Sequence, residues 1–169
     1  RMDTRSALTA AQLLQTYSAA RLQLLFQEYG EVTNSKTLAT TIVQQRKVHP
    51  MRTIAEFKYV IQPVVKGNPQ KYLAQVFQAL RIAVNDELGA LKELLTQTAA
   101  VLKPGGRMAF ITFHSLEDRL VKNFMKTGSF EEVQDHPFTM HTPPKLFQLI
   151  TKKPVTASTE ELKLNPRSS

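Results

Sequence analysis

The run Met108–Phe113, Met-Ala-Phe-Ile-Thr-Phe, constrains this chain more than any other stretch. Thr112 is its only polar residue, and there is no regular polar alternation. So short and bulky an apolar run reads as a strand buried on both faces, and such strands belong to parallel sheets covered by helices. Lys103-Pro104-Gly105-Gly106 precedes it. Proline cannot continue a helix and glycine accepts positive φ, so this tetrad is a helix stop and a turn. After the run comes His114-Ser115-Leu116-Glu117-Asp118-Arg119. Ser115 is placed to cap a helix from Leu116 to about Lys126, with Glu117 and Asp118 in its first turn. Strand, polar corner, helix is the arrangement that presents reactive groups at the carboxyl end of a parallel strand. The same residues also describe an ordinary cap with solvated charges.

Upstream, the pattern is helical and heavily punctuated. Thr9 caps a helix through about Tyr17, and Ser18 caps the next, with Leu22, Leu25, Phe26 and Tyr29 at helical spacing and Gly30 at its end. Asn34 opens a third helix carrying Leu38 and Ile42, which His49-Pro50 stops. Thr53 with Glu56 forms a capping box for a fourth, with Ile54, Phe57, Tyr59 and Ile61, closed by Pro63. Leu22, Phe26, Leu38, Ile42, Phe57 and Ile61 are the expected core of this bundle. From Pro69 a longer helical spacing runs through Val76, Phe77, Leu80, Val84, Leu88, Leu91, Leu95 and Leu102, with a break predicted at Asn85-Asp86 and Gly89. Ser129–Val133 and Lys145–Lys152 read as two further strands.

The chain has 169 residues, 42% of them hydrophobic, which suffices for one sizeable domain or two small ones. Lysine and arginine number 22 against 14 acids, a net charge of +8 that favours a polyanionic partner. There is no cysteine, so disulfides and thiolate metal sites are excluded. His49, His114, His136 and His141 lack zinc-ligand spacing, and no metal site is expected. No apolar run approaches the roughly 18 residues of a membrane span, so a soluble cytoplasmic protein is expected.

Three constellations can carry chemistry. In the corner, His114, Ser115 and Asp118 can accept or donate protons and Arg119 can hold phosphate or base, or all four can serve the helix end. Arg81 and Asn85 share one helix face, either as a hydrogen-bonded pair among apolar neighbours or pointing into a cleft. Arg46 and Lys47, with Arg52 and Lys58, surround His49-Pro50 and are either phosphate contacts or a solvated face. Lys103-Pro104-Gly105-Gly106 is not a P-loop, because its lysine precedes the glycines.

Val76-Phe77-Gln78-Ala79-Leu80-Arg81-Ile82-Ala83-Val84-Asn85-Asp86-Glu87-Leu88, Leu102–Gly106, Phe113–Arg119 and the terminal Asn165-Pro166-Arg167-Ser168 together resemble the RsmH (MraW) family. The resemblance covers essentially the whole chain. It implies transfer of a methyl group from S-adenosylmethionine to N4 of a cytosine in 16S ribosomal RNA, within the small ribosomal subunit. It implies an α/β fold, rich in helix overall. Residues 1–68 would be a helical subdomain inserted into a class I, Rossmann-like methyltransferase sheet, and residues 69–169 the last part of that methyltransferase domain. For such an activity His114, Ser115 and Asp118 are the catalytic candidates, and Arg119, Arg81, Asn85, Arg46 and Lys47, chosen on the chemistry and clustering given above, the RNA-binding ones.

The family's Gly-rich donor loop, its acidic residue after the second strand and its Asp-Leu-Gly-type motif do not occur in this sequence. No cofactor-binding residue is therefore expected here, and the chain is expected to be an inactive piece of a longer enzyme. Where members usually have His-Pro-Ala-Thr-Arg before Phe77-Gln78, this chain has Lys71 to Gln75, so an arginine contact common there is absent or passes to Lys71. The competing expectation is a non-enzymatic, basic, helical RNA-binding or scaffold module.

Overall fold

A computed structural model describes residues 8–130, 146–151, 155–166 and 168. Arg1-Met2-Asp3, most of the strand expected at 129–133, the proline- and histidine-containing loop around His136 and His141, and Arg167 lie outside the described residues. Eight α-helices occur among those described: α1 Ala10–Thr16, α2 Ala19–Glu28, α3 Ser35–Gln45, α4 Ile54–Ile61, α5 Pro69–Asn85, α6 Glu87–Val101, α7 Ser115–Thr127 and α8 Thr159–Leu164. A single 3-10 turn, Gln62–Val64, follows α4. The chain forms two compact units, Arg1–Glu93 and Leu94–Ser169.

The helix starts of the first unit follow from local chemistry. The Thr9 hydroxyl accepts from the Gln12 N–H while the Gln12 side chain accepts from the Thr9 N–H, a reciprocal capping box. Ser18 caps α2 and Asn68 caps α5, where Pro69 supplies the preset φ of a first helical residue. At α4, Glu56 accepts from the N–H groups of both Arg52 and Thr53, each at 2.8 Å. These backbone donors, Thr53 first, hold the Glu56 carboxyl below the usual glutamate range. The stabilisation is therefore present above that range and fades as pH falls through the depressed value.

The core of the first unit is continuous. Leu13, Leu22, Phe26, Leu38, Ile42 and Ile61 are fully buried, and Phe57 nearly so. Each such side chain contributes roughly 1.5–3 kcal/mol on burial. All six expected bundle residues lie inside; Ile54 and Tyr59 do not, at 67% and 69% exposure, because the capped start of α4 turns the opposite face inward. α5 packs on the same core through Tyr72, Val76, Ala79 and Leu80. Gly30, between α2 and α3, marks a close approach to α5: a Cβ there would sit 2.8 Å from the Gln75 carbonyl oxygen. A buried asparagine completes the join. The Asn34 amide donates to the Val64 carbonyl at 2.8 Å and accepts from the Tyr72 hydroxyl at 3.0 Å.

In the second unit, α7 buries Phe124, which stacks on Phe130 at 4.7 Å and meets Phe147 at 5.8 Å. Gly128 ends α7 at φ +74. No strand occurs among the described residues, which corrects the reading of Met108–Phe113 as buried β-structure. Ile111 is 86% and Phe113 88% exposed. The described part of Lys145–Lys152 is likewise not a strand. A strand exists only when a neighbour satisfies its N–H and C=O groups, and no described segment provides one. The fold described is accordingly helix-rich.

Replacing Asn34 with alanine strands the Tyr72 hydroxyl and the Val64 carbonyl, and is expected to cost about 2–4 kcal/mol in urea unfolding. Burial pushes the Tyr72 hydroxyl above its ordinary value. Its contribution is intact below the unfolded tyrosine value, about 10, and is lost as pH rises through the folded one. Tyr72→Phe should therefore lose stability at neutral pH and lose less than the parent on going to alkaline pH. Equal alkaline losses in the two chains would contradict this.

Candidate functional site

α5 ends at Asn85, and Asp86 takes the left-handed conformation, φ 49, before α6 begins. Asparagine and aspartate tolerate that region better than most residues. Gly89, the third residue of α6, lies against the Asp86 side chain: a Cβ there would come within 2.6 Å of the carboxylate carbon. The corner brings Glu87 back beside the last turns of α5. Its carboxylate pairs with Arg81 Nε at 3.0 Å and accepts from Asn85 Nδ2 at 3.1 Å. Glu87 is 14% exposed, whereas the Arg81 side chain is 51% exposed. One carboxylate thus orients both residues expected to act together. Sequence spacing does not single out Glu87, because only the left-handed corner puts it there.

Arg81 and Asn85 also line a cavity of about 480 Å³ in the first unit. Its apolar wall includes Phe57 and Phe77, edge to face at 5.8 Å, and its polar groups include Arg52 and Thr53. Aromatic walls with a few fixed polar groups suit a flat heterocycle whose edge needs hydrogen bonds and whose backbone carries charge.

Arg46 is occupied elsewhere. Its guanidinium donates to the carbonyls of Leu14 at 3.0 Å and Tyr17 at 2.7 Å, satisfying the end of α1. Lys47, next to it, is exposed.

In the second unit the corner before α7 differs from the expected one by a residue. His114, not Ser115, is the cap: Nδ1 accepts from the Glu117 N–H at 3.4 Å, and α7 starts at Ser115. An imidazole nitrogen with the right reach replaces the hydroxyl, which sits one position too late. Glu117 reaches back to accept from the Phe113 N–H at 2.8 Å. Since Nδ1 accepts, the ring proton is assigned to Nε2, which is buried, lies 3.4 Å from Glu117 Oε1 and has no hydrogen-bond partner among the described residues. Ser115, Asp118 and Arg119 occupy exposed positions in the first turns of α7.

A family model described as the MraW methylase family matches residues 1–169. The chain is 48% identical over 171 residues to ribosomal RNA small subunit methyltransferase H of Parabacteroides distasonis, covering 99% of this chain and 55% of that protein. It is 49% identical over 171 residues to the protein of that name from Azobacteroides pseudotrichonymphae, and 41% over 172 residues to that of Porphyromonas gingivalis, with the same coverage. The chain spans about half the length of these curated relatives.

The cap geometry can be tested directly. His114→Ala removes the acceptor for the Glu117 N–H and should cost about 1 kcal/mol, whereas His114→Asn, which restores an acceptor, should recover most of it. Urea titration followed by helix signal compares the three chains. Equal midpoints would show that the imidazole does not cap α7.

Proposed function

Because the chain belongs to the MraW methylase family, we propose that it forms the RNA-acceptor side of a methyltransferase acting on 16S ribosomal RNA in the small ribosomal subunit. The target is N4 of a cytosine, the donor is S-adenosylmethionine, and the setting is the cytoplasm. Residues 1–68 are the inserted helical subdomain. Residues 69–169 belong to the methyltransferase domain. The observation that carries the reading is the Arg81–Asn85–Glu87 constellation at an aromatic-walled cavity, in a chain of net charge +8.

The donor itself does not fit the residues present. The chain has six glycines, and none forms the Gly-x-Gly-x-x-Gly turn that lets a backbone approach such a cofactor. Donor binding is therefore assigned to the part of the relatives' length that this chain does not span, and no step is derived through it. The residues here act on the acceptor. The target base must leave its stack to be reached, and the cavity of the first unit, with an apolar wall and an oriented amide, suits an unstacked base of the RNA. Arg81, fixed by Glu87, and Arg119 and Lys47, on exposed positions, contact phosphate or base. Arg46 acts on the RNA through the α1 end it secures. Asp118 accepts a hydrogen bond from the exocyclic amine, so that proton loss accompanies methyl transfer. His114, the cap of α7, and Ser115 position that turn.

Two measurements test this. Calorimetric titration of the 169-residue chain with S-adenosylmethionine should be flat; saturable binding would place the donor site here. In the full-length protein, Asp118→Ala should slow single-turnover methylation of small-subunit particles by roughly thirtyfold to a thousandfold, the effect of one positioned hydrogen bond. Arg81→Ala should instead weaken RNA binding more than it slows transfer. A wild-type rate for folded Asp118→Ala would remove Asp118 from the chemistry.

A further inference from the structure

A second surface of the first unit carries exposed aromatic rings and lysines that lie outside the lining of the cavity at Arg81. Tyr59 lies on α4 with 69% of its surface exposed, an unusual position for a large aromatic side chain that buries little. It is not isolated. The His49 ring stands edge-on to it, centroids 6.2 Å apart at 78°. Both rings line a recess of about 310 Å³, together with Pro50, Ala55, Glu56 and Val60. Pro50 gives it a rigid wall, and the buried Val60 fixes the helix that carries Tyr59. Val48 beside it is 73% exposed.

The charges around the rings are mostly of one sign. Lys47 lies two residues before His49, Lys58 directly precedes Tyr59, and Arg52 is close enough to act on the Glu56 carboxyl; all three cations are exposed. Glu56 is the acid of the recess, and two backbone N–H groups hold its carboxylate in place. A phosphate in the recess would meet that carboxylate, so the anionic part of a ligand belongs on the cationic rim and an uncharged ring inside. Single-stranded nucleic acid has this distribution: bases that stack on aromatic side chains and phosphates spaced along a flexible backbone. A duplex hides its ring faces, and an acidic peptide has no comparable series of rings.

We propose that His49 and Tyr59 form a stacking platform for an unpaired base of RNA, with Lys47 and Lys58 on its phosphates. The two rings lie outside the lining of the cavity at Arg81, and the proposal rests on the reading of the chain as acting on ribosomal RNA. The helical subdomain then grips a single-stranded segment of the RNA.

The test uses the 169-residue chain and an end-labelled, unstructured RNA of about twelve nucleotides, followed by fluorescence anisotropy. Tyr59→Ala should weaken binding by roughly fivefold to a hundredfold, the range for one stacked base, while Tyr59→Phe, which keeps the ring, should bind like the parent. Thermal unfolding of Tyr59→Ala should match the parent because the side chain is exposed. Replacing Lys47 and Lys58 together should reduce the slope of log affinity against log salt by about 1.4, the counterions of two phosphates on a single strand. Heparin, an anion without bases, should bind Tyr59→Ala and parent alike. If RNA binds the parent and Tyr59→Ala equally, the platform is overturned and the ribosomal RNA reading stands. An equal loss on heparin would mark a general anion surface and also overturns it. No binding of RNA by the parent chain would count against both.

Discussion

The Asn34 side chain joins three segments that are far apart in the chain. Through Val64 and the Tyr72 hydroxyl it links the start of α3, the turn after α4 and the first turns of α5. At 8% exposure its amide cannot exchange these bonds for water, so losing either partner costs a full desolvation penalty. The cavity at Arg81 is lined from α1, from the α4 region and from α5, and exists only while α5 stays seated on the bundle. Apolar contact along α5 supplies most of the adhesion through Val76, Ala79 and Leu80, but such contact tolerates sliding. The directional bonds at Asn34 set where α5 stops, and so where Arg81 and Asn85 come to rest.

The basic excess divides into groups with different roles. Arg46 is engaged inside the unit, closing the carbonyl end of α1 with two hydrogen bonds. Arg81 is half exposed and tethered to Glu87, which gives direction and keeps part of the guanidinium available to solvent. A tethered arginine loses less conformational entropy on binding than a free one. Lys47, Arg52 and Lys58 are exposed near the His49–Tyr59 pair and suit a longer-range, salt-sensitive attraction. Net charge alone favours a polyanion; only this division says which cations orient a ligand and which attract it.

The second unit shows how far an apolar pattern reaches without a partner. Met108–Phe113 has the composition of an interior strand, yet Ile111 and Phe113 are almost fully exposed. α7 does form, because its signals are local: His114 and Glu117 satisfy the first N–H groups and Gly128 takes the left-handed turn at its end. Phe124 then finds Phe130 and Phe147 within the same unit.

What the sequence by itself determined was whatever closes within about four residues. The capping box at Thr53, the caps at Thr9 and Ser18, the break at Asp86 and the inward face of the bundle were all legible, because each depends on neighbours one helical turn away. The pairing of Arg81 with Asn85 was visible as a spacing. Its shared carboxylate was not, since it required the left-handed φ of Asp86. Tertiary structure alone decided that Asn34 serves Val64 and Tyr72, 30 and 38 residues away, that Arg46 serves α1 across 29 and 32 residues, and that Tyr59 faces solvent beside His49. It also decided against a strand at Met108–Phe113 among the described residues. The physical reason is one of range: a helix satisfies its own hydrogen bonds and announces itself locally, while a strand or a long-range polar contact depends on groups that sequence spacing does not locate.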